Sequence, residues 1–569
     1  MTVADSQYKL GWSNNQKKRT MKLIIILTMM FAGLAKAGGI DLPAISASQQ
    51  GTSNSNGAEA ADASVLYYNP AGMTYLRGRQ NSISGTLLTF RGKVKDTGST
   101  GTPEPSDNSN EEGRPLGPDG VDPYAAGDSG SFWPKILGLG SVFYAVPYDE
   151  NITIGIGVFS PGGGNINYKS NWSGAYQVDA IALELVNINP SVAVRFDDKH
   201  SIGFGVSVIG GHLRYRTQLD AQGLKPYLLQ ELLGDVTVDT LTVTPQVQSI
   251  INTVCGVQLL VDVLCGIRVG DVLPRPIIDA LSSPLADALV DPSSTASGLI
   301  EMYGYGLGYN LGYMFGINEK SRVGLSFRSA TKVNLRGGAE WDTSKLKARP
   351  VVGTTVVSLI NNGGNSDLGD LLADYLLPDT TTKAVFNIPA RLSLSYFSEI
   401  NDKIDMMFDY TFIKSSVMDE LSVGFGVEED SNGNKVVLAD AKIPLKWQDS
   451  YKVSLGLNYH FDDKTTFKTG FQYDKTPIPS KEFRHPALPE SDRYMASLGF
   501  NHKINKKISI DGAYSLLVFA DSKSEYRNKC RFNQPEDDAS ECTGIGGTFR
   551  GEFSDTYANI LSLQINSKF

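Results

Sequence analysis

The sequence predicts an all-β protein: a closed 14-stranded antiparallel transmembrane β-barrel with an N-terminal hatch and small helices in its extracellular loops. Three observations support this fold class. Large apolar and small side chains alternate in strand-like runs, short polar turns alternate with long excursions, and a segment of small residues precedes the first run. The chain has 569 residues, among them 58 glycines, 25 tyrosines and 24 phenylalanines. Its formal net charge of −9 gives no support for a nucleic-acid partner.

An export signal is predicted at the N-terminus. Basic residues precede the apolar run 23–34, and residues 35–37, Ala-Lys-Ala, fit the small-x-small cleavage rule. Twelve apolar residues are too few to cross a bilayer, which takes about 20, although a membrane anchor is the alternative reading. We therefore interpret residues 1–37 as a signal peptide with an extension upstream of Met21, and expect the mature chain to begin near Gly38.

The segment that follows, residues 38–79, is rich in glycine, alanine and serine and shows no strand alternation. Compact, small residues ahead of a first strand have the right bulk to fold back into the lumen of a barrel. We therefore predict that residues 38–79 form a hatch inside the barrel and that the barrel itself occupies residues 80–569.

Residues 303–315, YGYGLGYNLGYMF, show the alternation most clearly. A period of two means a strand with two unlike faces. The glycine-rich face is too weakly apolar to build a core, so the tyrosine and leucine face is predicted to meet lipid. The same alternation recurs in residues 186–196, 451–459, 508–518 and 557–569. We expect a bulge where Pro190 interrupts its strand, and the terminal Phe569 is typical of barrels delivered to the outer-membrane assembly machinery.

Six short polar turns divide the strands, around residues 150, 198, 319, 402, 463 and 505. Five strand pairs lie between them, with one pair before and one after, which makes 14 strands. Short turns on one side and long loops on the other are typical of outer-membrane barrels, and only a closed sheet satisfies its backbone in hydrocarbon. A soluble β-sandwich or adhesin would explain the alternation but not the turn lengths. Leucine-rich pieces of the excursions 218–300 and 343–383 predict short amphipathic helices.

The four cysteines fall into two local pairs, Cys255 with Cys265 and Cys530 with Cys542. In an exported chain such pairs predict disulfides. Neither pair has further ligands at zinc spacing, so we expect no metal and no cofactor.

The third predicted strand runs into Pro161, Gly162, Gly163 and Gly164. A proline and three glycines remove a ladder donor and weaken strand pairing, which predicts a kink or gap in the wall. The alternative is an ordinary turn at the end of the strand.

Strand parity identifies cations that can face the lumen. Lipid-facing Val323 and Leu325 place Arg328 and Lys332 inward on the seventh strand, and Arg391 faces inward on the eighth. A bulge at Gly210–Gly211 can reset the parity of two further arginines on the fifth strand. The candidate ligand-binding residues are Arg328, Lys332, Arg391, Arg214 and Arg216. Each can bind the carboxylate head group of a fatty acid. Each can instead pair with a carboxylate of the hatch or wall.

Several stretches resemble the outer-membrane long-chain fatty acid and aromatic hydrocarbon transporters, the FadL/TodX type. They are the Asn69-Pro70-Ala71 element of the hatch and residues 327–337, 387–397 and 447–515. The resemblance covers nearly the whole mature chain and is poorest in 93–130 and 218–300. It implies a 14-stranded barrel with a hatch, uptake of hydrophobic molecules, and a lateral opening at the kink in the third strand.

We therefore expect a passive transporter of hydrophobic molecules, most simply long-chain fatty acids, in the outer membrane of a Gram-negative cell. An aqueous porin and an aromatic-hydrocarbon channel are the alternatives. An enzyme is not expected, because the five histidines are scattered and no nucleophile motif accompanies them. The expected partners are a hydrophobic ligand, outer-membrane lipid and lipopolysaccharide, and the outer-membrane assembly machinery, with the protein itself a monomer.

Overall fold

The fold is taken from a computed structural model of the chain. The structure describes residues 45–101, 137–168, 172–221, 223, 240–256, 264–274, 276–278, 290–291, 294–348, 368, 370, 377–429, 435–437, 441–527 and 547–569. The predicted export signal and the Cys530–Cys542 pair lie outside these residues.

The described residues form a closed antiparallel barrel of 14 strands, as predicted. Six of the strands are interrupted and continue in a second segment. The strands are β1 Gln80–Asp96, β2 Leu137–Pro147, β3 Ile152–Phe159 and Gly163–Asn167, β4 Ala180–Arg195, β5 His200–Leu219, β6 Ala296–Gly316, β7 Ser321–Arg328 and Thr331–Asp342, β8 Thr380–Ile388 and Arg391–Asn401, β9 Ile404–Ile413 and Glu420–Phe425, β10 Ala441–Pro444 and Ser450–His460, β11 Thr465–Asp474, β12 Arg493–Lys503, β13 Ile508–Phe519 and Ser522–Arg527, and β14 Thr548–Lys568. The barrel closes where β14 pairs with β1, with Leu87 opposite Leu561.

All six predicted turns are present, and none is longer than four residues. The large tyrosine and leucine side chains of β6 face outward, with Tyr305 67% and Leu307 65% exposed. Exposed apolar side chains line the outside of the other strands in the same way, for example Leu457 on β10 and Leu563 on β14. This outer surface is what a lipid-facing wall requires.

The bulge expected at Pro190 is absent, and that prediction was wrong. The pairing of β4 with β5 keeps one register from Ala180 to Arg195. Proline has no N–H to give to the ladder, but the neighbouring Asn189 donates from Nδ2 to the carbonyl of Val206 at 2.8 Å. Because a side chain supplies the missing donor, the strand passes the proline without a break.

Above its lipid-facing belt the barrel reverses its polarity. Strand β6 has 21 residues, whereas about 9–11 suffice to cross a bilayer. On the extra length, Leu213 and Met302 point inward and are buried, while Arg214 and Glu301 point outward. Polar head groups and water replace lipid tails outside the barrel at this height, so charged side chains can face outward.

The loops contribute few regular elements. A helix spans Pro245–Gly256, and small hairpins pair Thr240–Thr242 with Val272–Pro274 and Val427–Glu429 with Lys435–Val437. Most of the leucine-rich pieces predicted as helices lie outside the described residues. A disulfide joins Cys255 to Cys265, with their Cα atoms 5.7 Å apart. Among the described residues no helix is long and apolar enough to cross a membrane.

Residues 45–79, called the hatch below, lie inside the half of the barrel next to the short turns. They contain helices Ala47–Gln50 and Val65–Tyr68 and a 3-10 helix Pro70–Tyr75. The backbone N–H of Ala47 donates to Gln564 of β14 at 3.0 Å, and Ser141 of β2 donates to the carbonyl of Ile45. On the other side of the lumen the N–H of Gly57 donates to Asp409 of β9 at 3.3 Å, so the hatch is bonded to strands on several sides.

The Asn69-Pro70-Ala71 element sits directly on glycines of the wall. Asn69 caps the 3-10 helix, accepting from the N–H of Ala71 at 3.1 Å, and donates across to the carbonyl of Tyr313. A Cβ added to Gly312 would stand 2.8 Å from the backbone nitrogen of Ala71. Gly203, directly opposite Gly312 on β5, is as tightly covered. Wall glycines are thus needed because the hatch backbone approaches the strand backbone closely.

Replacing Gly312 by valine is expected to displace the hatch without unfolding the barrel. The added side chain overlaps the hatch backbone, and overpacking of this kind costs about 1–3 kcal/mol or more. Ion conductance in planar bilayers and protease cleavage within residues 45–79 should both rise.

Gly85→Val provides the matched control, since a Cβ at Gly85 meets nothing within 4 Å. If Gly312→Val has the same conductance and protease resistance as the unmodified protein, the position of the hatch does not depend on this contact.

Candidate functional site

The inward face of the barrel changes from polar to apolar along its height. On β14 the inward residues Ser562, Gln564 and Asn566 lie beside the hatch, while Ala558 and Ile560 lie above it. On β2, by contrast, the inward residues Phe143 and Ala145 beside the hatch are also apolar. Buried apolar residues of the upper lumen include Leu88, Leu139, Leu185, Ile209, Leu213, Met302, Val333, Leu335, Phe386, Ile388, Leu517 and Phe519. The upper lumen is therefore an apolar compartment standing on a polar floor.

Aromatic residues from the loops cover this compartment. Trp172 is buried and stacks on Tyr168 at 3.7 Å, with Phe549 of β14 against its other side. The hydroxyl of Tyr168 donates to the carbonyl of Pro486 at 2.7 Å. The loop between β3 and β4 is thus joined to the loop between β11 and β12 over the lumen.

A polar cavity of about 100 Å³ lies between the apolar compartment and the hatch. Three cations line it, and Asp409 is the one carboxylate among its described lining residues. The cations are Arg328, Arg391 and Lys452. The hatch contributes Tyr67 and Tyr68 to the same cavity. The lining is therefore net cationic, as an anion-binding site should be.

Arg328 connects the cavity to the hatch. Its guanidinium donates to the carbonyl of Tyr67 at 3.0 Å and to the hydroxyl of Ser207 at 3.1 Å. The guanidinium also lies over the ring of Tyr67, 4.8 Å from its centroid, a cation–π contact. Arg391 stands directly opposite Arg328 on β8, so two positive charges face the same space.

The other two charged residues of the cavity, Lys452 and Asp409, interact with neighbouring residues of the wall and hatch. Lys452 lies 3.3 Å from the carboxylate of Asp474, which also pairs with Arg493. Asp409 accepts from the N–H of Gly57 at 3.3 Å and from Ser395 at 2.9 Å. Lys452, the cavity cation nearest to Asp474, is therefore partly neutralised.

Three further wall cations hold the hatch, and none of them was predicted from the sequence. Arg195 donates to the carbonyl of Thr74, Arg322 to those of Ala58 and Glu59, and Lys468 to that of Ser48 at 3.1 Å. Strand parity could have found Arg322, because it shares the inward face of β7 with Arg328. Parity does not say whether an inward cation contacts the hatch or a ligand.

Three of the five predicted ligand-binding cations face away from the lumen. Lys332 is exposed on the outer wall, because residues 329–330 form a bulge between the two segments of β7 and reverse its parity. The bulge expected at Gly210–Gly211 is absent, since β5 keeps one register against β6 throughout. Arg214 and Arg216 consequently point outward. These placements correct the sequence prediction.

The two outward arginines of β5 have acidic neighbours. Arg216 pairs with Asp179 at 2.6 Å, and Arg214 lies 3.8 Å from Glu301. Glu301 also accepts from His212 at 2.9 Å. Both arginines belong to the outer surface above the lipid-facing belt, not to the cavity.

The third strand is interrupted where its proline and glycines predict a break. The ladder stops at Phe159 and resumes at Gly163, which has φ +153°. Before the break β3 pairs with both β2 and β4, but its second segment pairs, among the described strands, with β4 alone. Residues 137–141 of β2 likewise pair only with β1 among those strands. The wall therefore lacks ladder bonds between β2 and the upper part of β3.

Phe159, at the lower edge of this break, contacts the hatch. Its ring meets that of Tyr67 at 4.9 Å and that of Phe143 at 5.6 Å. The guanidinium of Arg328 lies 5.8 Å from the centroid of Phe159. The cationic cavity and the break in the wall are thus adjacent, separated by aromatic rings.

Comparisons with known proteins agree with this architecture. A sequence model of the outer membrane protein transport protein family (OMPP1/FadL/TodX) matches residues 28–569. The long-chain fatty acid transport protein of Escherichia coli K12 is 21% identical over 507 residues, which are 88% of this chain and 92% of that protein.

Solved structures show the same fold. A FadL homologue from Pseudomonas aeruginosa superposes with a TM-score of 0.65 at 18% identity, covering 94% of this chain and all of that one. The toluene transporter TodX of Pseudomonas putida gives 0.55 at 14% identity, covering 94% of this chain and 99% of that one.

The loop that helps to cover the lumen is expected to weaken in acid through His485. This histidine is buried, accepts at Nδ1 from the N–H of Ala487 at 3.0 Å, and packs on Tyr526. Burial lowers its pKa from 6.5 to about 3. Below pH 6.5 the unfolded loop binds a proton that the folded loop does not, so stability falls, by about 2 kcal/mol at pH 5. Protease cleavage of residues 475–492 should increase between pH 7.5 and pH 5.

His485→Asn keeps an acceptor but does not titrate, so its cleavage rate should show no such increase. An identical pH dependence in the variant would assign the effect to another group.

Proposed function

Because the chain belongs to the outer membrane protein transport protein family (OMPP1/FadL/TodX), a family of outer-membrane transporters for hydrophobic compounds, we propose that it takes up long-chain fatty acids. The acid enters through the covered mouth, its chain occupies the apolar upper lumen, and its carboxylate reaches Arg328 and Arg391. Transport is passive and follows the concentration gradient of the ligand, without a catalytic step.

The proposal rests on one observation: the apolar compartment of the lumen lies directly above a cationic cavity. Such an arrangement matches a molecule that is apolar along most of its length and anionic at one end. Two arginines on neighbouring strands can each form charge-assisted hydrogen bonds with a carboxylate. The E. coli relative, named a long-chain fatty acid transport protein, supports the same class of ligand.

An aromatic hydrocarbon is the second candidate, favoured by the likeness to a toluene transporter. A hydrocarbon would use the apolar compartment but gains nothing from Arg328 or Arg391. An aqueous porin fits less well, because the hatch fills the lower lumen and is hydrogen-bonded to strands on several sides.

The exit proposed for the ligand is lateral, through the break between β2 and β3. Pro161 and Gly162 leave the ladder there, and a sideways exit spares an oily molecule the aqueous periplasm. A shift of Tyr67 in the hatch would free Phe159, its ring partner at the edge of the break. The hatch and the opening would then move together.

We further propose that the protein works as a monomer within outer-membrane lipid. Phe569 is 70% exposed, and its backbone is hydrogen-bonded to Arg79 next to the start of β1, where the barrel closes on itself.

Replacing Arg328 or Arg391 by glutamine is expected to weaken binding of a long-chain fatty acid about tenfold or more. Each change removes a charge-assisted hydrogen bond to the carboxylate. Affinity for an alkane of the same chain length should not change. Both affinities can be measured in detergent by displacement of a fluorescent fatty acid.

Lys332→Gln makes the same charge change on the outer face of β7 and should leave both affinities unaltered. Equal loss of acid and alkane binding in Arg328→Gln would assign that arginine to holding the hatch. Unchanged acid binding in both arginine variants would remove the fatty-acid assignment.

Restoring a regular strand at the break is expected to stop uptake but not binding. The triple variant Pro161→Val, Gly162→Thr, Gly164→Thr keeps Gly163, whose Cβ would stand 2.7 Å from the carbonyl of Leu183. Uptake of labelled ligand into cells should fall at least about tenfold while ligand still binds the purified protein.

Pro190→Thr removes a proline from the neighbouring strand and serves as the control. Normal uptake by a folded triple variant would show that the ligand leaves by another route.

A further inference from the structure

The outer face of β7 and β8, above the lipid-facing belt, carries positive charges that the transport pathway does not use. Arg336 and Lys383 stand directly opposite each other on the two strands. Lys332 lies four residues before Arg336 on the same face, and all three side chains are exposed. Together they are called the outer basic patch below.

Like charges directly opposite each other in an antiparallel pair repel, because their Cβ atoms are only about 5 Å apart. Within the part of the chain that the structure describes, none of the three side chains has an ion-pair or hydrogen-bond partner. The nearest acidic groups are engaged or distant along the strands. Glu301 accepts from His212 and Tyr303, and Glu340 lies four residues beyond Arg336.

The position of the patch identifies the surface that it meets. Strand β7 rises from the short turn at residues 317–320 towards the long connection 343–379, so its second segment is extracellular. Exposed Tyr303 and Tyr305 flank the patch on β6, paired with Arg336 and Asn334. Exposed Leu392 and Leu394 of β8 belong to the lipid-facing belt below it. An aromatic girdle beside basic residues marks the head-group level of the outer leaflet.

We propose that the outer basic patch binds the phosphate groups of a phosphorylated lipid in the outer leaflet, that is, the head group of lipopolysaccharide. One phosphate between Arg336 and Lys383 would accept hydrogen bonds from both and remove their repulsion. Lys332, nearer the belt, is placed for a second phosphate or for the same head group. Asn334 lies between Lys332 and Arg336 on the same face and adds a neutral donor.

The proposal is tested with the full-length protein in detergent by native mass spectrometry. Three probes are used: the phosphorylated lipid anchor of lipopolysaccharide, the same lipid after dephosphorylation, and inorganic phosphate. The phosphorylated lipid should bind the unmodified protein, and Arg336→Gln with Lys383→Gln should weaken it about thirtyfold. The control Lys506→Gln with Lys507→Gln removes two exposed charges from a turn on the opposite side and should not change binding.

Equal binding of the phosphorylated and dephosphorylated lipids, or no effect of the double variant, would overturn the proposal. Displacement by inorganic phosphate at equal concentration would assign the patch to free anions and not to lipid. Heat-modifiable mobility on gels and binding of a fatty acid report folding separately, and both should be normal in the double variant.

Discussion

Every strand of this protein has two faces, and the backbone register decides which one meets lipid. In hydrocarbon each backbone group must be paired within the sheet, so the barrel closes and a side chain can point only in or out. A single extra residue then moves all later side chains to the other face. The bulge at residues 329–330 does this on β7, which is why Arg328 lines the cavity while Lys332, four residues later, lies outside.

The same constraint explains how the lumen holds a hatch below an apolar compartment. Near the short turns many inward residues are small or polar, and the hatch backbone packs on glycines such as Gly312. Above the hatch, buried apolar side chains such as Leu88, Leu335 and Leu517 line the lumen. The floor of that apolar compartment is the cavity between Arg328 and Arg391. One guanidinium, that of Arg328, donates to the hatch carbonyl of Tyr67 and also lines the cavity, so the hatch and the cavity share a residue.

The reversal of polarity also accounts for the charged outer surface. Placing a charged side chain against lipid tails costs free energy, but at the head-group level it is solvated by polar groups and water. This applies to Arg214, Glu301 and Arg336. Most of these charges are paired with one another, as His212 is with Glu301. The pair formed by Arg336 and Lys383 is unlike them, because it sets two positive charges side by side.

The sequence by itself determined the number of strands, the six turns, the lipid-facing side chains of the membrane belt and the hatch that precedes the barrel. Each of these depends on a local pattern: a period of two, a run of turn residues, or a composition. The sequence also predicted that Arg328 and Arg391 face inward, and both line the cavity, because no irregularity separates them from the lipid-facing residues of their strand segments. Only the tertiary structure decided the side of Lys332, Arg214 and Arg216, and the role of Arg322 and Lys468. Whether a bulge forms depends on partners in neighbouring strands, as Asn189 shows at Pro190, and such partners are distant in the chain.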